Sequence, residues 1–321
     1  MRLINTSGIP PQIIRAMMAK DEKYHAEKKD YMQQHDVDYE FSVTTLAQPP
    51  RKVQLVKRHW DEIEVDAMDR YYILMGSCIH SILEGHPEPG DLIEHRYGKN
   101  VNLVLNGKKI RVHIHGCADV ISFSRGLIED WKFASMMAMN FPKDDYIAQL
   151  NALRFLLKKE QKEQITKLYN NFLFRDWRSS DAKAGRSPQP LFCKVVEQPL
   201  WDDEKTAAYL KERIIAHVSA IPLTDENLPQ CKKEELWFSR DGFRLRRKTK
   251  AGDWGKRSDG WAETEEEAHA LAKEKKLNEY RLEPTKGSPR RCGFCEARAF
   301  CEQAKLMFAE SDMEHDENLN L

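Results

Sequence analysis

Two acidic side chains and one amine lie close together in the sequence, in a pattern that could hold a divalent cation beside a water molecule. Asp119 is followed by Asp130 and then, two residues later, by Lys132. Two carboxylates that face each other repel, so their proximity indicates that a cation normally lies between them. Mg²⁺ or Mn²⁺ would suit such oxygen ligands, and the lysine could hold or deprotonate a water molecule beside the ion.

The residues around this pattern predict a β-hairpin. Residues 113–121 and 127–133 are short apolar runs, and Ser124, Arg125 and Gly126 between them are typical of a turn. A loop of two or four residues would place Asp119 opposite Asp130, with Lys132 on the same face. A three-residue loop with a bulge at Gly126 would instead put the two aspartates on opposite faces.

Further elements must surround this hairpin. Residues 61–84 predict one long helix that carries His80 and Glu84 one turn apart. Its apolar residues recur at helical spacing: Met68, Tyr71, Tyr72, Met75, Ile79, Ile82 and Leu83. Residues 91–115 predict two strands joined at Asn106-Gly107, and residues 144–162 predict a helix that carries Gln149. Strands at 166–175 and 191–200 and a helix at 202–220 follow.

A second candidate centre is formed by cysteines near the C-terminal end. Cys292, Cys295 and Cys301 lie within ten residues, a spacing that suits zinc or an iron–sulfur cluster. Cys231 is the predicted fourth ligand, because a metal there would join both ends of the segment 232–290; Cys193 is the alternative. Cys78 and Cys117 are predicted to be packed residues, and the centre is expected to be structural.

Composition limits the possible classes of protein. The 321 residues carry no formal net charge although 32% are charged, so attraction to nucleic acid must come from local patches. No apolar run reaches the ~18 residues of a membrane span, and the N-terminus lacks the apolar core of a signal peptide. We therefore expect a cytoplasmic protein whose cysteines are thiols or metal ligands. A glycine-rich nucleotide motif is absent, which excludes an ATP-driven motor.

Four motifs, in order, resemble the PD-(D/E)XK nuclease superfamily. Asp119 with Asp130-Trp131-Lys132 resembles its signature. Gly76, His80 and Glu84 resemble the G-x-x-x-H-x-x-x-E helix of its RecB-like exonuclease branch, and Tyr146 to Gln149 resemble the start of its Q-x-x-x-Y helix, although Leu153 replaces the tyrosine. Cys292, Cys295 and Cys301 resemble the cysteine run of members with an iron–sulfur cluster.

The resemblance implies an α/β fold: a restriction-endonuclease-like core, with a central mixed sheet flanked by helices, and a C-terminal cysteine cluster. The implied organisation is an arm at 1–40, the nuclease core at 41–220, an insertion and cluster region at 221–305, and an acidic tail at 306–321. The implied metal ligands are Asp119, Asp130, His80 and the Trp131 carbonyl. Lys132 acts on the water and phosphate, and Gln149 holds the DNA or the lysine.

The implied activity is that of a metal-dependent DNA exonuclease that needs no ATP, with a 4Fe–4S cluster favoured over zinc. Phage recombination or replication, or CRISPR adaptation with its protein partners, would provide the setting, in the host cytoplasm for a phage protein. Alternatives are a non-catalytic DNA-binding protein on an inert nuclease fold and an endonuclease of the same fold. The DNA could be single-stranded or a duplex end.

The segment 232–290 interleaves aromatic and cationic residues, including Trp237, Arg244, Trp254 and Trp261. This composition suits stacking on single-stranded bases together with neutralisation of phosphates. The same composition suits equally well a small group of strands and a helix that only pack around the cysteine centre.

Overall fold

The computed structural model of the chain describes residues 1–19, 35–140, 144–249 and 252–308. The chain divides into two compact units, Met1–Thr224 and Asp225–Leu321. Part of the predicted arm, residues 20–34, and most of the predicted acidic tail, residues 309–321, lie outside the described residues. Within the described ranges, no helix is long and apolar enough to cross a membrane.

The first unit contains eight strands and eight helices among its described residues. The strands are β1 (Arg2–Ile4), β2 (Tyr39–Ser42), β3 (Glu64–Asp66), β4 (Leu92–Leu105), β5 (Lys108–Ser122), β6 (Leu127–Ala134), β7 (Lys167–Phe174) and β8 (Cys193–Gln198). The α-helices are α1 (11–19), α2 (Val43–Leu46), α3 (Pro50–Arg58), α4 (Tyr71–Glu84), α5 (Asp144–Leu156), α6 (Lys159–Gln164), α7 (Ser179–Lys183) and α8 (Asp203–Ala220). Short 3₁₀ helices lie at Ala67–Arg70 and Met136–Asn140.

A mixed six-stranded sheet forms the centre of this unit. Its order is β2-β5-β6-β7-β8, and β4 pairs with the other edge of β5. The β2–β5 and β6–β7 pairs are parallel, and the β4–β5, β5–β6 and β7–β8 pairs are antiparallel. Helix α5 packs against β5, β6 and β7, and α4 packs against β6. The expected α/β class, a mixed sheet flanked by helices, is therefore confirmed.

Strand β5 is the longest strand and organises the core. The turn before it has φ of 50° at Asn106 and 76° at Gly107, as a two-residue hairpin requires. Its core side packs on α5: a Cβ at Gly116 would lie 2.3 Å from Cδ2 of the fully buried Leu153. Glycine at this position thus allows α5, and Gln149 with it, to approach the sheet.

The predicted helix at 61–84 is wrong in its first half. Residues 64–66 form β3, which pairs in parallel with β1, and α4 begins only at Tyr71. Asp66 stabilises this arrangement because its carboxylate accepts hydrogen bonds from Met68 N at 2.9 Å and Thr6 N at 3.0 Å. Helix α4 has no buried residue, and Tyr71 and Ile82 are at least half exposed.

Other boundaries also differ from the predictions. Pro50 is the first residue of α3, a helix that the sequence did not indicate, and its missing N–H costs nothing at that position. The predicted helix at 144–162 is two helices, α5 and α6. The predicted end of the arm at residue 40 falls within β2, a strand of the central sheet.

The second unit contains a small sheet with one helix and the cysteine segments. Strands β9 (Gly242–Arg247), β10 (Gly260–Ala262) and β11 (Tyr280–Thr285) pair antiparallel in the order β10-β9-β11. Helix α9 (Glu265–Glu274) begins with a capping box between Thr264 and Glu267. The cysteines lie in and around α10 (Arg290–Gly293), a 3₁₀ turn at Arg298–Phe300 and α11 (302–308).

Candidate active site

The β5–β6 hairpin carries the two aspartates in the predicted register. Val120 pairs with Glu129 and Ser122 with Leu127, so the loop contains four residues and the three-residue alternative does not form. One further step in this register places Asp119 opposite Asp130. There the ladder ends, because Asp119 Oδ2 accepts a hydrogen bond of 2.6 Å from Trp131 N.

Three side chains hold the carboxylate of Asp130, which is 5% exposed. Lys132 Nζ lies 2.6 Å from Oδ2 in an ion pair, and Asn170 Nδ2 donates to the same oxygen at 2.9 Å. Gln149 Nε2, from α5, donates to Oδ1 at 3.4 Å. The structure therefore brings Lys132 and Gln149 together at Asp130. The resemblance implied that Gln149 holds the DNA or the lysine. Its hydrogen bond in the structure is to Asp130.

Lys132 remains a cation in this environment. Burial alone lowers the pKa of the amine, but the charges of Asp130, Tyr146 and Asp119 outweigh it and raise the pKa above its usual value. Its Nζ also lies 4.7 Å from the centre of the Tyr146 ring, within cation–π range. A charged ammonium can contact a phosphate or orient water, but it is poorly suited to removing a proton.

His80 of α4 lies between the aspartate hairpin and β4. Its Nε2 is 3.2 Å from the Trp131 carbonyl, so Nε2 carries the hydrogen, because a carbonyl can only accept. Its Nδ1 lies 3.7 Å from Glu94 Oε1 and 3.9 Å from Asp119 Oδ1. The hydrogen bond with Glu94 is the largest influence and raises the pKa of His80, against the opposing effect of burial.

Negative charge at the site exceeds the positive charge around it, and the pKa of Asp119 shows this most clearly. Burial, followed by the charge of Asp130, raises the pKa of Asp119 to about 7, although His80 and Lys132 act in the opposite direction. One lysine and one histidine thus do not compensate the two carboxylates. Additional positive charge would stabilise the ionised pair.

Glu94 is a site residue that the sequence reading missed. Ligand atoms of His80, Glu84 and Glu94 lie within 4.8 Å of one another, close enough to surround one cation. In the β4–β5 register Ile93 pairs with Val120 and His95 with Ala118, so Glu94 occupies the position opposite Asp119. Its φ of 46° is unusual for a residue other than glycine, and the β4–β5 pairing is interrupted at this residue.

The predicted metal ligands lie near one another around the hairpin. His80, Asp119, Asp130 and the Trp131 carbonyl are neighbours. Among the described residues, however, the two aspartates do not belong to a trio whose ligand atoms all lie within 4.8 Å. His80 approaches Glu94 on β4 at 3.7 Å, and its Nε2 lies 3.2 Å from the Trp131 carbonyl.

Asn170 is a second residue that was missed, although the sequence contains a signal for it. In β7 the buried positions alternate as Leu168, Asn170, Phe172 and Phe174, and Asn170 is 1% exposed. A single amide among inward-facing apolar residues must satisfy its hydrogen bonds inside the protein. The parallel β6–β7 register pairs it with Asp130.

A histidine cluster on β2 and β5 also carries metal-type ligands. Ligand atoms of His35, Glu40 and His113 lie within 4.8 Å of one another. The rings of His35 and His113 are stacked with centroids 3.7 Å apart, so their nitrogen lone pairs lie in nearly parallel planes and do not meet at one ion. His113 Nδ1 lies 2.6 Å from Asn100 Oδ1, and Glu40 lies 3.5 Å from His115. These contacts join β2, β5 and β4.

Four cysteines cluster in the second unit. Burial is the largest cause that raises the pKa of Cys231 to about 12, followed by the charge of Glu235 and then by the thiols of Cys301, Cys292 and Cys295. Burial, followed by the thiols of Cys295 and Cys301, raises the pKa of Cys292 to about 11. Cys231 is thus beside the three clustered cysteines, whereas the alternative, Cys193, lies on β8 of the first unit.

Gln303 fixes Cys231 in this cluster. Its Oε1 accepts from Cys231 N at 2.8 Å, and its Nε2 donates to Cys231 O at 2.9 Å. Four thiols so placed could hold tetrahedral zinc or an iron–sulfur cluster.

Comparisons with known proteins add little to this geometry. No protein-family model matches the chain, and no curated protein matches it. Among solved structures, the chain is similar to one described as "Crystal structure of SSO0001", with 16% identity and a TM-score of 0.42. That match covers 63% of this chain and 86% of the other.

Proposed function

We propose that the protein is a metal-dependent DNA nuclease of the PD-(D/E)XK type that hydrolyses phosphodiester bonds. The observation that carries this proposal is the meeting of Asp119, Asp130 and Lys132 on one hairpin, with Lys132 Nζ 2.6 Å from Asp130. The order of strands and helices around the hairpin supports a restriction-endonuclease-like core. The site combines anionic ligands for a cation with a fixed ammonium for the phosphate.

The donor set fits a hard divalent cation such as Mg²⁺ or Mn²⁺. Asp119 and Asp130 supply carboxylate oxygens, and both are buried. Their mutual repulsion, expressed in the raised pKa of Asp119, would be relieved by an ion. Glu94 and His80 would complete the ligands on the β4 side. The ion, when bound, would supply charge neutralisation at the phosphate and a more acidic water.

The remaining side chains position these groups. Asn170 and Gln149 fix the orientation of Asp130, and Lys132 contacts the phosphate and orients the attacking water. Trp131 N holds one oxygen of Asp119, which leaves Oδ1 directed toward His80. The backbone and amide donors thus restrict both carboxylates before substrate binds, which lowers the cost of ordering them.

The motif resemblance supports an exonuclease that acts from DNA ends without ATP, in phage recombination or replication or in CRISPR adaptation, within the cytoplasm. For the cysteines we propose a structural 4Fe–4S cluster held by Cys231, Cys292, Cys295 and Cys301. Support comes from the resemblance of the Cys292, Cys295 and Cys301 run to that of cluster-bearing nucleases and from the position of Cys231 beside these thiols. A broad visible absorption band with iron in the anaerobically purified protein would support the cluster; a colourless protein with one zinc would exclude it.

The nuclease proposal is tested by Asp130→Asn, with Glu129→Gln as the matched control. Glu129 is the adjacent carboxylate on β6 and pairs with Arg125 at 3.6 Å instead of facing the site. On end-labelled DNA with Mg²⁺ or Mn²⁺, we expect Asp130→Asn to lower the rate about a thousandfold, because cation stabilisation contributes several kcal/mol. Glu129→Gln should cut at the native rate.

The alternatives predict other outcomes of the same assay. A native chain that binds DNA but cuts none with either ion would contradict the nuclease and favour the inert DNA-binding fold. Cutting of covalently closed circles would favour an endonuclease over an exonuclease.

A further inference from the structure

The three-stranded sheet of the second unit has one covered face and one open face. Leu245 is fully buried, and Ala268 and Ala272 of α9 are fully buried as well. Neighbouring residues in a strand point to opposite faces, so Arg244 and Arg246 lie on the face away from Leu245. Helix α9 thus covers one face, and the arginines mark the other.

The register identifies the other members of the open face. Arg244 pairs with Trp261 on β10 and with Glu283 on β11, and Arg246 pairs with Arg281. Directly opposed residues share a face. We define the arginine face as these side chains together with the adjoining tryptophan: Arg244, Arg246, Arg281, Glu283, Trp261 and Trp254.

The charges of the arginine face are arranged around Glu283. Arg246 Nε donates to its carboxylate at 2.6 Å, and Arg281 forms an ion pair with it. Arg244 is exposed and forms no ion pair within the described part of the chain. Three guanidinium groups thus face one carboxylate, and Arg244 is available to an external anion.

Two indole rings lie beside these cations. Trp261 is 46% exposed, and its Nε1 donates to Thr285 Oγ1 at 3.1 Å, which fixes the ring. The Arg281 guanidinium lies 5.1 Å from the centre of the Trp254 ring, which is 37% exposed. The rings are therefore exposed and held in place, as a stacking platform requires.

Charge in this unit is separated between the strands and the helix. The described residues from 240 to 262 contain seven Lys or Arg and three Asp or Glu. Residues 263–274, which include α9, contain five Glu and one Lys. The strand segment that carries the exposed tryptophans is thus the cationic part of this unit, and α9 is acidic.

We propose that the arginine face binds single-stranded DNA, with guanidinium groups on the phosphates and indole rings stacked on bases. Unpaired bases expose the flat surfaces that tryptophan needs, whereas a duplex hides them within its stack. This inference rests on the proposed function for the identity of the ligand. It assigns the second unit the role of holding the strand.

Binding is tested by fluorescence anisotropy with a labelled oligothymidine, in buffer without added divalent cation so that no strand is cut. Arg244→Ala removes a guanidinium that has no internal ion pair, and Lys273→Ala on α9 removes one positive charge from the other side of the unit. We expect Arg244→Ala to weaken binding and to reduce the slope of log K against log salt by about 0.7. Trp254→Ala should weaken binding about tenfold, and Lys273→Ala should change neither quantity.

Several outcomes would overturn the inference. Equal effects of Arg244→Ala and Lys273→Ala would mean that only net charge matters. Unchanged binding by Arg244→Ala and Trp254→Ala, each with native circular dichroism, would exclude this face, as would equal affinity for a duplex of the same length.

Failure of the nuclease proposal is distinguishable from failure of this one. A chain that cuts DNA but binds independently of Arg244 would refute only the arginine face. A chain that binds through Arg244 but never cuts, with Mg²⁺ or Mn²⁺, would refute only the nuclease and leave the binding face supported.

Discussion

Removal of the Asn170 amide tests whether Asp130 is held in place by its neighbours. Asn170 is 1% exposed, and its Nδ2 donates to Asp130 Oδ2 at 2.9 Å. A hydrogen bond to a charged group contributes about 1.5–3 kcal/mol, so Asn170→Ala should lower the free energy of unfolding by that amount. Because Asp130 can then turn, we also expect nuclease activity or metal affinity to fall about 10- to 100-fold, as for other groups that orient metal ligands.

The neighbouring residue on β7 provides the matched control. Asn171 hydrogen bonds to Glu129, and it points to the opposite face of the strand. Urea unfolding and cutting rates should show that Asn171→Ala costs less than about 1 kcal/mol and leaves activity intact, because that bond is partly exposed. Equal losses in the two variants would indicate general damage to the sheet, and native stability and rates in Asn170→Ala would refute the positioning role.

Three further predictions concern packing, pH and the cysteine centre. Gly116→Ala should cost about 1–3 kcal/mol in urea unfolding, because the new methyl group would collide with Leu153; unchanged stability would show that α5 can shift freely. Burial, with a smaller effect of His35, lowers the pKa of His113 to about 4, below the ~6.5 of an unfolded histidine. As the pH falls, His113 is therefore protonated in the unfolded chain before it is protonated in the folded chain. The free energy of unfolding falls by about 2.5 kcal/mol between pH 7 and about pH 4.5, and His113→Gln should abolish this loss. Cys231→Ser should lower the iron content per chain and the melting temperature of the second unit, and an unchanged metal content would exclude it as a ligand.

The features that could be predicted are those encoded by neighbouring residues. The β5–β6 hairpin follows from turn residues between two apolar runs, and the Asn106-Gly107 turn needs positive φ at two successive positions. Once the hairpin is formed with four loop residues, the placement of Asp119, Asp130 and Lys132 follows from strand geometry. The three clustered cysteines likewise form a local pattern.

The features that could not be predicted depend on contacts between distant segments. Asn170 reaches Asp130 only because β6 and β7 pair in parallel, and no turn residue sets that register. Glu94 joins the site through the β4–β5 ladder and through a positive φ that its residue type does not favour.

Helix α4 shows a different limit of sequence patterns. Apolar residues at helical spacing predicted a helix from residue 61, but β3 pairs with β1, a partner about 60 residues earlier in the chain. The apolar residues recur at helical spacing, yet α4 has no buried residue. Periodicity reports which residues share a side of a helix, and it does not report what covers that side.

Both candidate metal centres follow one electrostatic principle. At the hairpin, burial and a second carboxylate raise the pKa of Asp119, and at the cysteine cluster burial and neighbouring thiols raise the pKa of Cys231. Each group is therefore expensive to ionise alone, and a cation that binds there must displace protons as it lowers the energy of the anions. The nearby cations Lys132 and His80 offset only part of this cost at the hairpin. This imbalance supports the proposed ion-dependent reaction over an ion pair that only stabilises the fold.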